Sequence, residues 1–371
     1  MEEKLHVLHV VGAMDIGGIE NMLMTLMPHM REKGIIFDFA VHGDAIGVYE
    51  LKIKEFGGRI YHLPKFVGIN IFSYLRAWRK ILTIHPELKI IHGHMTSTAS
   101  IYLWLAKRYH RVAIAHSHST SINGGRIIYG IKRLLEYPLR YISDYLCACS
   151  DDAANYRFGQ GTSKRDNYFL WHNAIDTKKF RFSQKKRDTI REKFRCDENT
   201  VVIGHVGRMI KAKNHDLLLD VFEAFRHFKI KSKLLLVGDG PMRLYIEKKA
   251  KEIDIFTDII FIGAVTNPAD YLSAIDVFCY PSLYEGLSVS LIEAQINGRK
   301  CLCSDVIPHE AFISSDLRVM SISQPASVWA KCIERMSESS AVVKVTNNPY
   351  DVKAASKEIN EFYKNIIQRT D

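Results

Sequence analysis

Short apolar runs alternate with longer segments of helical periodicity along the first half of the chain. The run at residues 5–11 ends in Gly12, a glycine turn follows, and from Glu20 onward apolar residues recur at three- and four-residue spacing. This succession predicts a strand, a loop and an amphipathic helix. Further strands are predicted at residues 34–43, 88–95, 111–119, 144–150 and 167–176. Strands that alternate with helices indicate a parallel sheet covered on both faces.

The same pattern restarts after a charged stretch at residues 177–198. We therefore predict an α/β protein with two doubly wound, Rossmann-like domains, 1–178 and 179–351, whose last helix (about 352–371) can pack back onto the first domain. In such sheets ligands bind at the carboxyl ends of the strands, so the cleft between the two halves is the expected site. The strands predicted in the second half are residues 200–209, 232–241, 258–265, 276–282 and 299–305.

Composition agrees with two ordinary globular domains. The chain has 371 residues, of which 47% are hydrophobic and 25% charged. Its N-terminus is too polar for a signal peptide, and its apolar runs are shorter than the ~18 residues of a membrane-spanning helix. The seven cysteines include no C-x-x-C pair, so we interpret them as small core residues in a reducing compartment. We expect a cytoplasmic protein.

The net charge of +10 favours partners that carry negative charge, such as nucleic acid, anionic lipid or phosphorylated small molecules. Basic residues alternate with aromatic and aliphatic ones at 76–80, 106–111 and 131–141, and a further basic cluster lies at 177–187. The alternating pattern suits peripheral contact with an anionic membrane at its inner face, and it equally suits core-packed helices with a basic outer face. Nucleic-acid binding is disfavoured because the basic residues are spread over both halves.

The first glycine loop, VVGAMDIGGIE, lacks the G-x-G-x-x-G spacing of dinucleotide enzymes, which disfavours a dehydrogenase. Gly17 and Gly18 would let backbone N–H groups approach an anion at a helix N-terminus. The alternative is a plain strand-to-helix turn.

Two cations follow the first strand of the second half. Arg208 offers a rigid fork and Lys213 a mobile point charge, and together they suit a diphosphate. The alternative is a pair of solvated loop cations. The nearby GDGP sequence (238–241) predicts a tight turn.

Two glutamates lie in the apolar stretch YPSLYEGLSVSLIEAQINGRKCLCSD. Glu285 precedes a helix predicted to begin near Val289 with Ser288 as its cap, and Glu293 lies about one turn inside. A carboxylate can accept hydrogen bonds from two vicinal hydroxyls, as on ribose or a hexose. Alternatively, Glu285 caps locally and Glu293 is half-exposed.

Taken together, the motifs are specific. Gly-Gly-x-Glu, Gly-Arg-x4-Lys-Asn, Gly-Asp-Gly-Pro and Tyr-Glu-Gly-Leu-x5-Glu-Ala-x3-Gly follow one another in this order, and HNAIDTKKF joins the halves. The sequence resembles, along nearly its whole length, the retaining glycosyltransferases of the GT-B fold, family 4. The resemblance implies a fold of two Rossmann-like domains facing across a cleft, with acceptor binding in the first and nucleotide-sugar binding in the second.

The resemblance also implies roles for the motif residues. Glu285 would contact the hydroxyls of the donor sugar and Glu293 those of the ribose. Arg208 and Lys213 would neutralise the diphosphate leaving group, and the Gly17–Gly18 loop would close from the other domain. Base recognition would rest on backbone near Val265. Further phosphate contacts would come from the amides of Gly286, Leu287 and Ser288.

The family carries a histidine after a strand of the first domain, near the transferring sugar. AIAHSHS offers His116 and His118, of which His116 directly follows the apolar run. His92 and His94 in IIHGHM are candidates on the acceptor side. The alternative for each of them is a structural histidine at a strand end.

The expected reaction is transfer of a hexose, with retention, from a nucleotide diphosphate sugar (a UDP-sugar) to a hydroxyl of a glycan precursor. The resemblance implies front-side attack assisted by the leaving phosphate. The chain contains no Asp-x-Asp, so we expect no metal ion and no other cofactor. A lipid-linked acceptor in surface polysaccharide biosynthesis fits the basic, aromatic segments. The alternatives are a nucleotide-sugar epimerase of the same fold and a non-catalytic nucleotide-sugar binder.

Overall fold

The computed structural model describes residues 4–15, 17–95, 98–119, 126–265, 267–338, 342, 345 and 348–369. The chain divides into two units. Unit 1 comprises Met1–Ile175 with Pro349–Asp371, and unit 2 comprises Asp176–Asn348. The division falls three residues before the boundary drawn from the sequence.

Each unit contains one parallel sheet, as the alternation of strands and helices predicts. The sheet of unit 1 has the order β3-β2-β1-β4-β5-β6-β7, and that of unit 2 has the order β10-β9-β8-β11-β12-β13. In both sheets the order reverses beside the first strand of the unit, which is where doubly wound sheets bind ligands. The strands are β1 Leu5–Val10, β2 Ile35–His42, β3 Ile60–Leu63, β4 Leu88–Gly93, β5 Val112–Ser117, β6 Tyr145–Ala148, β7 Tyr168–Leu170, β8 Val201–Val206, β9 Ser232–Val237, β10 Ile259–Gly263, β11 Val277–Tyr280, β12 Lys300–Ser304 and β13 Leu317–Met320.

Helices cover the sheets, and their apolar stripes form the cores. The helices are α1 Gly18–Glu32, α2 Glu50–Glu55, α3 Ile71–Ile84, α4 Ala99–Arg108, α5 Arg126–Glu136, α6 Leu139–Ile142, α7 Asp151–Phe158, α8 Thr177–Phe180, α9 Gln184–Lys193, α10 His215–Arg226, α11 Arg243–Glu252, α12 Pro268–Ala274, α13 Val289–Ile296, α14 Ala326–Ser337 and α15 Val352–Gln368. Within the described ranges, none of the helices combines the length and the apolar character that crossing a membrane requires.

The C-terminal helix α15 belongs to the core of unit 1. Ile359, Tyr363 and Ile366 are fully buried there, and α15 packs against α1. The chain returns through a parallel bridge between Ile175 and Asp351, and the carboxylate of Asp351 caps the helix at the amide of Lys353. The last helix therefore contributes side chains to the sheet that the first half of the chain builds.

Several elements of unit 2 have no counterpart in the sequence prediction, among them β13, α14 and α9, the last of which lies in the charged stretch 177–198. The edge strand β13 is short and carries an exposed Arg318, so it lacks the continuous apolar run that indicates a buried strand. Helix α14 follows it and buries Trp329 and Ile333 against α10. All seven cysteines are free thiols and six of them are buried.

Candidate functional site

The loop after β8 carries both predicted cations of unit 2. Arg208 is exposed, whereas Lys213 ends a short 3-10 turn and is largely buried. The GDGP turn packs against this loop. The amide of Met209 donates a hydrogen bond to the carbonyl oxygen of Asp239. The contact is close, because a Cβ at Gly238 would lie 2.0 Å from the carbonyl oxygen of Gly207. With a φ of +137°, Gly238 also occupies backbone space that favours glycine. The turn therefore holds the cation loop in place.

Lys213 and Glu285 form an ion pair at the carboxyl edge of the sheet. The ammonium nitrogen lies 2.6 Å from Glu285 Oε1 and also donates to the hydroxyl of Tyr280, which itself lies 3.2 Å from Oε1. Burial alone lowers the pKa of Lys213, but Tyr280 and Glu285 outweigh it and raise that pKa above its ordinary value. Lys213 therefore remains a cation, with one carboxylate already beside it.

Tyr280 and His205 form the floor beneath this pair. Burial raises the pKa of Tyr280 to about 12, so its hydroxyl keeps its proton. The imidazole of His205 stacks on the Tyr280 ring at 5.2 Å, and its Nδ1 lies 3.0 Å from the carbonyl oxygen of Cys279. Burial lowers the pKa of His205 well below 6.5, so its ring is neutral. Among these four side chains, the positive charge is therefore that of Lys213.

The loop before α13 supplies backbone donors. The helix begins at Val289, as predicted, with Ser288 at the N-cap position. The predicted side-chain cap is wrong: Ser288 has a φ of −86° and a ψ of 78°, makes no capping hydrogen bond, and its buried hydroxyl has no partner among the described residues. The amides of Gly286, Leu287 and Ser288 come just before and at the helix start, where N–H groups face outward along the axis.

Glu293 lies one turn inside α13 and is partly buried. Burial raises its pKa to about 8, and the nearby Lys179 of α8 only partly offsets this. The carboxyl is therefore mostly neutral at pH 7 in the protein as it stands. Val265, the backbone position predicted near the base, follows β10 and lies at the same carboxyl edge of the sheet as Arg208 and Glu285.

In unit 1 the two glycines open α1. Gly17 is the N-cap with extended backbone and Gly18 is the first helical residue. A Cβ at Gly17 would lie 2.2 Å from a carboxylate oxygen of Glu20, whereas one at Gly18 would meet nothing within 4 Å. Burial raises the pKa of Glu20, whose carboxyl group lies over the helix start. The space in front of Gly18 is the open part of this loop.

Five histidines meet on neighbouring strands of unit 1. The structure brings His92, His94, His116 and His118 together and adds His9 from β1, because β1, β4 and β5 lie side by side. The rings form two hydrogen-bonded chains. One joins His9 Nδ1 to His94 Nε2 at 2.9 Å and His94 Nδ1 to His118 Nε2 at 2.7 Å. The other joins Tyr363, His92 and His116.

Burial lowers the pKa of every ring in this cluster, that of His118 to about 3. Two sets of three histidines have ring nitrogens within 4.8 Å of one another and could ligate a metal ion. The sets are His9, His92 and His94, and His94, His116 and His118. However, the bonded nitrogens are 2.7–3.0 Å apart. Ligands on a tetrahedral zinc ion, at bonds of about 2.0–2.1 Å, are separated by about 3.3 Å. The spacing is that of neutral imidazoles hydrogen-bonded to one another.

Two family models match the chain: Glycosyltransferase Family 4 at residues 16–179 and Glycosyl transferases group 1 at residues 186–340. A relative from Bacillus subtilis (strain 168), named as the glycosyltransferase EpsF, is 32% identical over 334 residues, which cover 89% of this chain and 87% of the relative. This chain belongs to the group 1, family 4 glycosyltransferases of the GT-B fold. The predicted family is therefore confirmed.

One further relative and one solved structure are similar to this family 4 glycosyltransferase. The capsular polysaccharide biosynthesis glycosyltransferase CapH of Staphylococcus aureus is 24% identical over 374 residues, covering 97% of this chain and 98% of the relative. The crystal structure of Anabaena Alr3699/HepE in complex with UDP and glucose superposes with a TM-score of 0.77 at 14% identity, covering 96% of this chain and 99% of that one. At that identity the likeness shows the fold, and the predicted GT-B fold is confirmed.

Sequence reasoning did not single out His9, Tyr280 or Tyr363 in this glycosyltransferase. His9 lies in strand β1, Tyr280 at the end of β11 and Tyr363 on the buried face of α15. A histidine inside an otherwise apolar strand was the available signal for His9. Tyr363 offered none, because a tyrosine on the apolar face of an amphipathic helix is an ordinary core residue.

Proposed function

We propose that this glycosyltransferase moves a hexose, with retention, from a UDP-sugar to a hydroxyl of a lipid-linked glycan precursor in surface polysaccharide biosynthesis. Unit 2 binds the donor and unit 1 the acceptor. The observation that carries the proposal is the arrangement of Lys213, Glu285 and Tyr280, with the exposed Arg208 in the same loop as Lys213. It combines positive charge for a diphosphate with an oxygen acceptor for sugar hydroxyls.

Negative charge develops on the diphosphate as the bond from the sugar C1 to the phosphate oxygen breaks. Arg208 is exposed and can turn its fork toward the phosphates, and Lys213 is held as a cation in a largely buried position. Preorganised charge at this point is the largest contribution available to catalysis. The amides of Leu287 and Ser288 at the start of α13 add donors for the same oxygens.

The two glutamates act as acceptors for hydroxyl groups. Glu285 is held by Lys213 and Tyr280, so one of its oxygens is already positioned and the carboxylate can receive a sugar hydroxyl. Glu293 receives the ribose hydroxyls. Its raised pKa means that hydrogen bonds from two hydroxyls would favour loss of its proton on binding.

The retaining step proceeds on one face of the sugar. The acceptor oxygen forms the new bond to C1 on the side from which the diphosphate leaves, and its proton passes to a phosphate oxygen. Arg208 and Lys213 supply the charge that other sugar-nucleotide enzymes obtain from a divalent cation, so the reaction needs no metal ion. His116 or His118 of unit 1 contacts the transferring sugar, and His94 lies on the acceptor side.

The acceptor is proposed to be lipid-linked because one surface of unit 1 suits an anionic membrane. Leu134 on α5, Tyr137 in the turn after it and Tyr141 on α6 are exposed, and the guanidinium of Arg140 lies 4.5 Å from the Tyr137 ring centroid. We call these four residues the α5–α6 surface. Apolar and aromatic side chains interleaved with cations are typical of peripheral membrane contact. By contrast, α3 buries Tyr74 and Trp78 in the core beneath its basic outer face.

Two relatives support the finer parts of the proposal. The Anabaena structure contains UDP and glucose, and the S. aureus relative is named for capsular polysaccharide biosynthesis. For this chain the UDP-sugar donor and the polysaccharide product are inferences from those proteins together with the chemistry of the site.

A thermal-shift panel tests the donor first, because a ligand that binds only the folded state raises the melting temperature by mass action. UDP and UDP-hexoses are compared with ADP, GDP and their sugars, and only the uridine series is expected to stabilise. The stabilising UDP-sugar is then incubated with a membrane extract that contains lipid-linked glycans. Transfer of labelled sugar to lipid supports the proposal. Isomerised donor without transfer indicates an epimerase, and binding without turnover indicates a non-catalytic binder.

A further inference from the structure

The hydrogen-bonded chain from Tyr363 through His92 to His116 has a defined direction. The hydroxyl of Tyr363 lies 2.7 Å from His92 Nδ1, and His92 Nε2 lies 3.0 Å from His116 Nδ1. All three side chains are fully buried. Each imidazole can donate through one nitrogen only while it is neutral, so a donor at one end determines every proton position along the chain.

The proton of Tyr363 supplies that donor. Burial raises the pKa of Tyr363 well above 10, so the hydroxyl keeps its proton. In the part of the chain that the structure describes, His92 Nδ1 is the one hydrogen-bonding partner of this hydroxyl. If the hydroxyl accepted from His92 instead, its own buried proton would be left without an acceptor, which is costly. Tyr363 therefore donates, and His92 Nδ1 carries no proton.

The next two protons follow from neutrality. Burial lowers the pKa of His92 and of His116 well below 6.5, so each ring carries one proton. His92 must hold its proton on Nε2 and donate it to His116 Nδ1. His116 then holds its own proton on Nε2, and this buried nitrogen has no partner among the described residues.

Packing keeps the rings in this register. Trp171 is fully buried and contacts both His92, at 5.0 Å between ring centroids, and His116, at 5.3 Å. The ring of His118 stacks on that of His116, with 4.0 Å between the ring centroids. A buried donor without a partner calls for an explanation, and a ligand oxygen is the simplest one at the carboxyl end of a strand in a doubly wound sheet.

We propose that Tyr363, on the C-terminal helix, is a positioning residue that acts through His92 to keep His116 in the Nε2–H form. His116 then offers an uncharged N–H donor to a hydroxyl or phosphate oxygen of the substrate. This inference rests on the proposed function, in which His116 is one of the two histidines proposed to contact the transferring sugar. It assigns the returning helix α15 a part in the site that packing alone does not require.

Nitrogen-15 shifts of histidine-labelled protein test the proton positions without any substrate, since protonated and bare ring nitrogens differ. His92→Gln and His116→Gln assign the signals. The expected result is a protonated Nε2 and a bare Nδ1 on both rings, with mixed forms in Tyr363→Phe. This readout stands even if no UDP-sugar is turned over, so its failure is distinct from failure of the proposed function.

Kinetics test the consequence. Tyr363→Phe is expected to lower kcat/KM about tenfold, because it removes the one hydrogen bond that fixes the proton positions of His92 and His116. The matched control is Tyr74→Phe, which removes another fully buried hydroxyl that lies 2.8 Å from a histidine nitrogen, His42 Nε2, outside the cluster. It should change kcat/KM by less than about twofold. His116→Gln, whose amide mimics the Nε2 position, should keep roughly tenfold more activity than His116→Asn, which mimics Nδ1.

Combining the variants separates positioning from packing. In the His116→Gln background, Tyr363→Phe should have little further effect, because no tautomer remains to be set. Equal losses in the two backgrounds would overturn the proposal. So would a bare Nε2 on His116 in the unmodified protein, an unchanged tautomer in Tyr363→Phe, or activity of Tyr363→Phe equal to that of Tyr74→Phe.

Discussion

The ammonium of Lys213 lies 2.6 Å from Oε1 of Glu285, and this pair joins the loop after β8 to the loop after β11. The two residues are far apart in sequence, yet both follow the carboxyl ends of adjacent strands in one sheet. The pair is largely buried, and the hydroxyl of Tyr280 contacts both partners. The arrangement places a cation and an oxygen acceptor side by side where a sugar diphosphate can use both.

Replacing either cation should impair transfer more than binding. Arg208→Ala and Lys213→Ala are each expected to lower kcat by at least about a hundredfold, because each removes charge that stabilises the leaving diphosphate. Initial-rate measurements with saturating UDP-sugar give the result. The control is Lys211→Ala, an exposed lysine of the same 3-10 turn, which should stay within about twofold. Near-normal turnover in both Arg208→Ala and Lys213→Ala would rule out this role.

The raised pKa of Glu293 predicts a pH-dependent stability difference. An unfolded glutamate ionises near 4.5 and the folded one near 8, so between these values the folded state binds more protons and its stability falls as pH rises. Glu293→Gln removes this effect. The variant should match the native protein near pH 4.5 and exceed it by about 1–3 kcal/mol at pH 8.

Urea unfolding at several pH values measures that difference. The matched control is Glu252→Gln on α11, an exposed glutamate whose replacement should leave the pH profile parallel to that of the native protein. A difference for Glu293→Gln that shrinks toward pH 8 would contradict the buried, neutral carboxyl.

Chelation should leave transfer intact. If Arg208 and Lys213 neutralise the diphosphate, activity in excess EDTA should equal that without it to within about twofold, because no divalent cation is needed to offset the developing charge. The rate is measured in EDTA and again after Mg²⁺ or Mn²⁺ is restored in excess. Strict dependence on the added ion would refute the metal-independent mechanism.

The α5–α6 surface should bind anionic membranes. Liposome flotation with and without about 30% anionic lipid is expected to recover more protein in the anionic sample, and less as salt is raised. Leu134→Glu places a carboxylate on this surface and should reduce flotation several-fold. Leu244→Glu changes an equally exposed leucine, on α11 of unit 2, and should have no effect. Equal flotation with neutral and anionic lipid would argue against the membrane proposal.

Much of the fold was predictable because the signals are local. Period-two and apolar runs predict the strands of a buried parallel sheet, and helical spacing predicts the covering helices. Placing Arg208, Lys213 and Glu285 on one edge followed from the rule that parallel strands end together. The edge strand β13 was missed because an exposed edge has no continuous apolar run.

The sequence by itself determined the family, the two-sheet architecture and the chemical types at the carboxyl ends of the strands, because these depend on periodicity and on the order of motifs. Only the tertiary structure decided which side chains contact one another. It placed His9 beside His94 and directed the hydroxyl of Tyr363 at His92. It also left the hydroxyl of Ser288 without the predicted capping hydrogen bond. Strand order, ring register and burial are properties of the packed chain. Proton positions and pKa values, which depend on them, were therefore beyond the reach of sequence patterns.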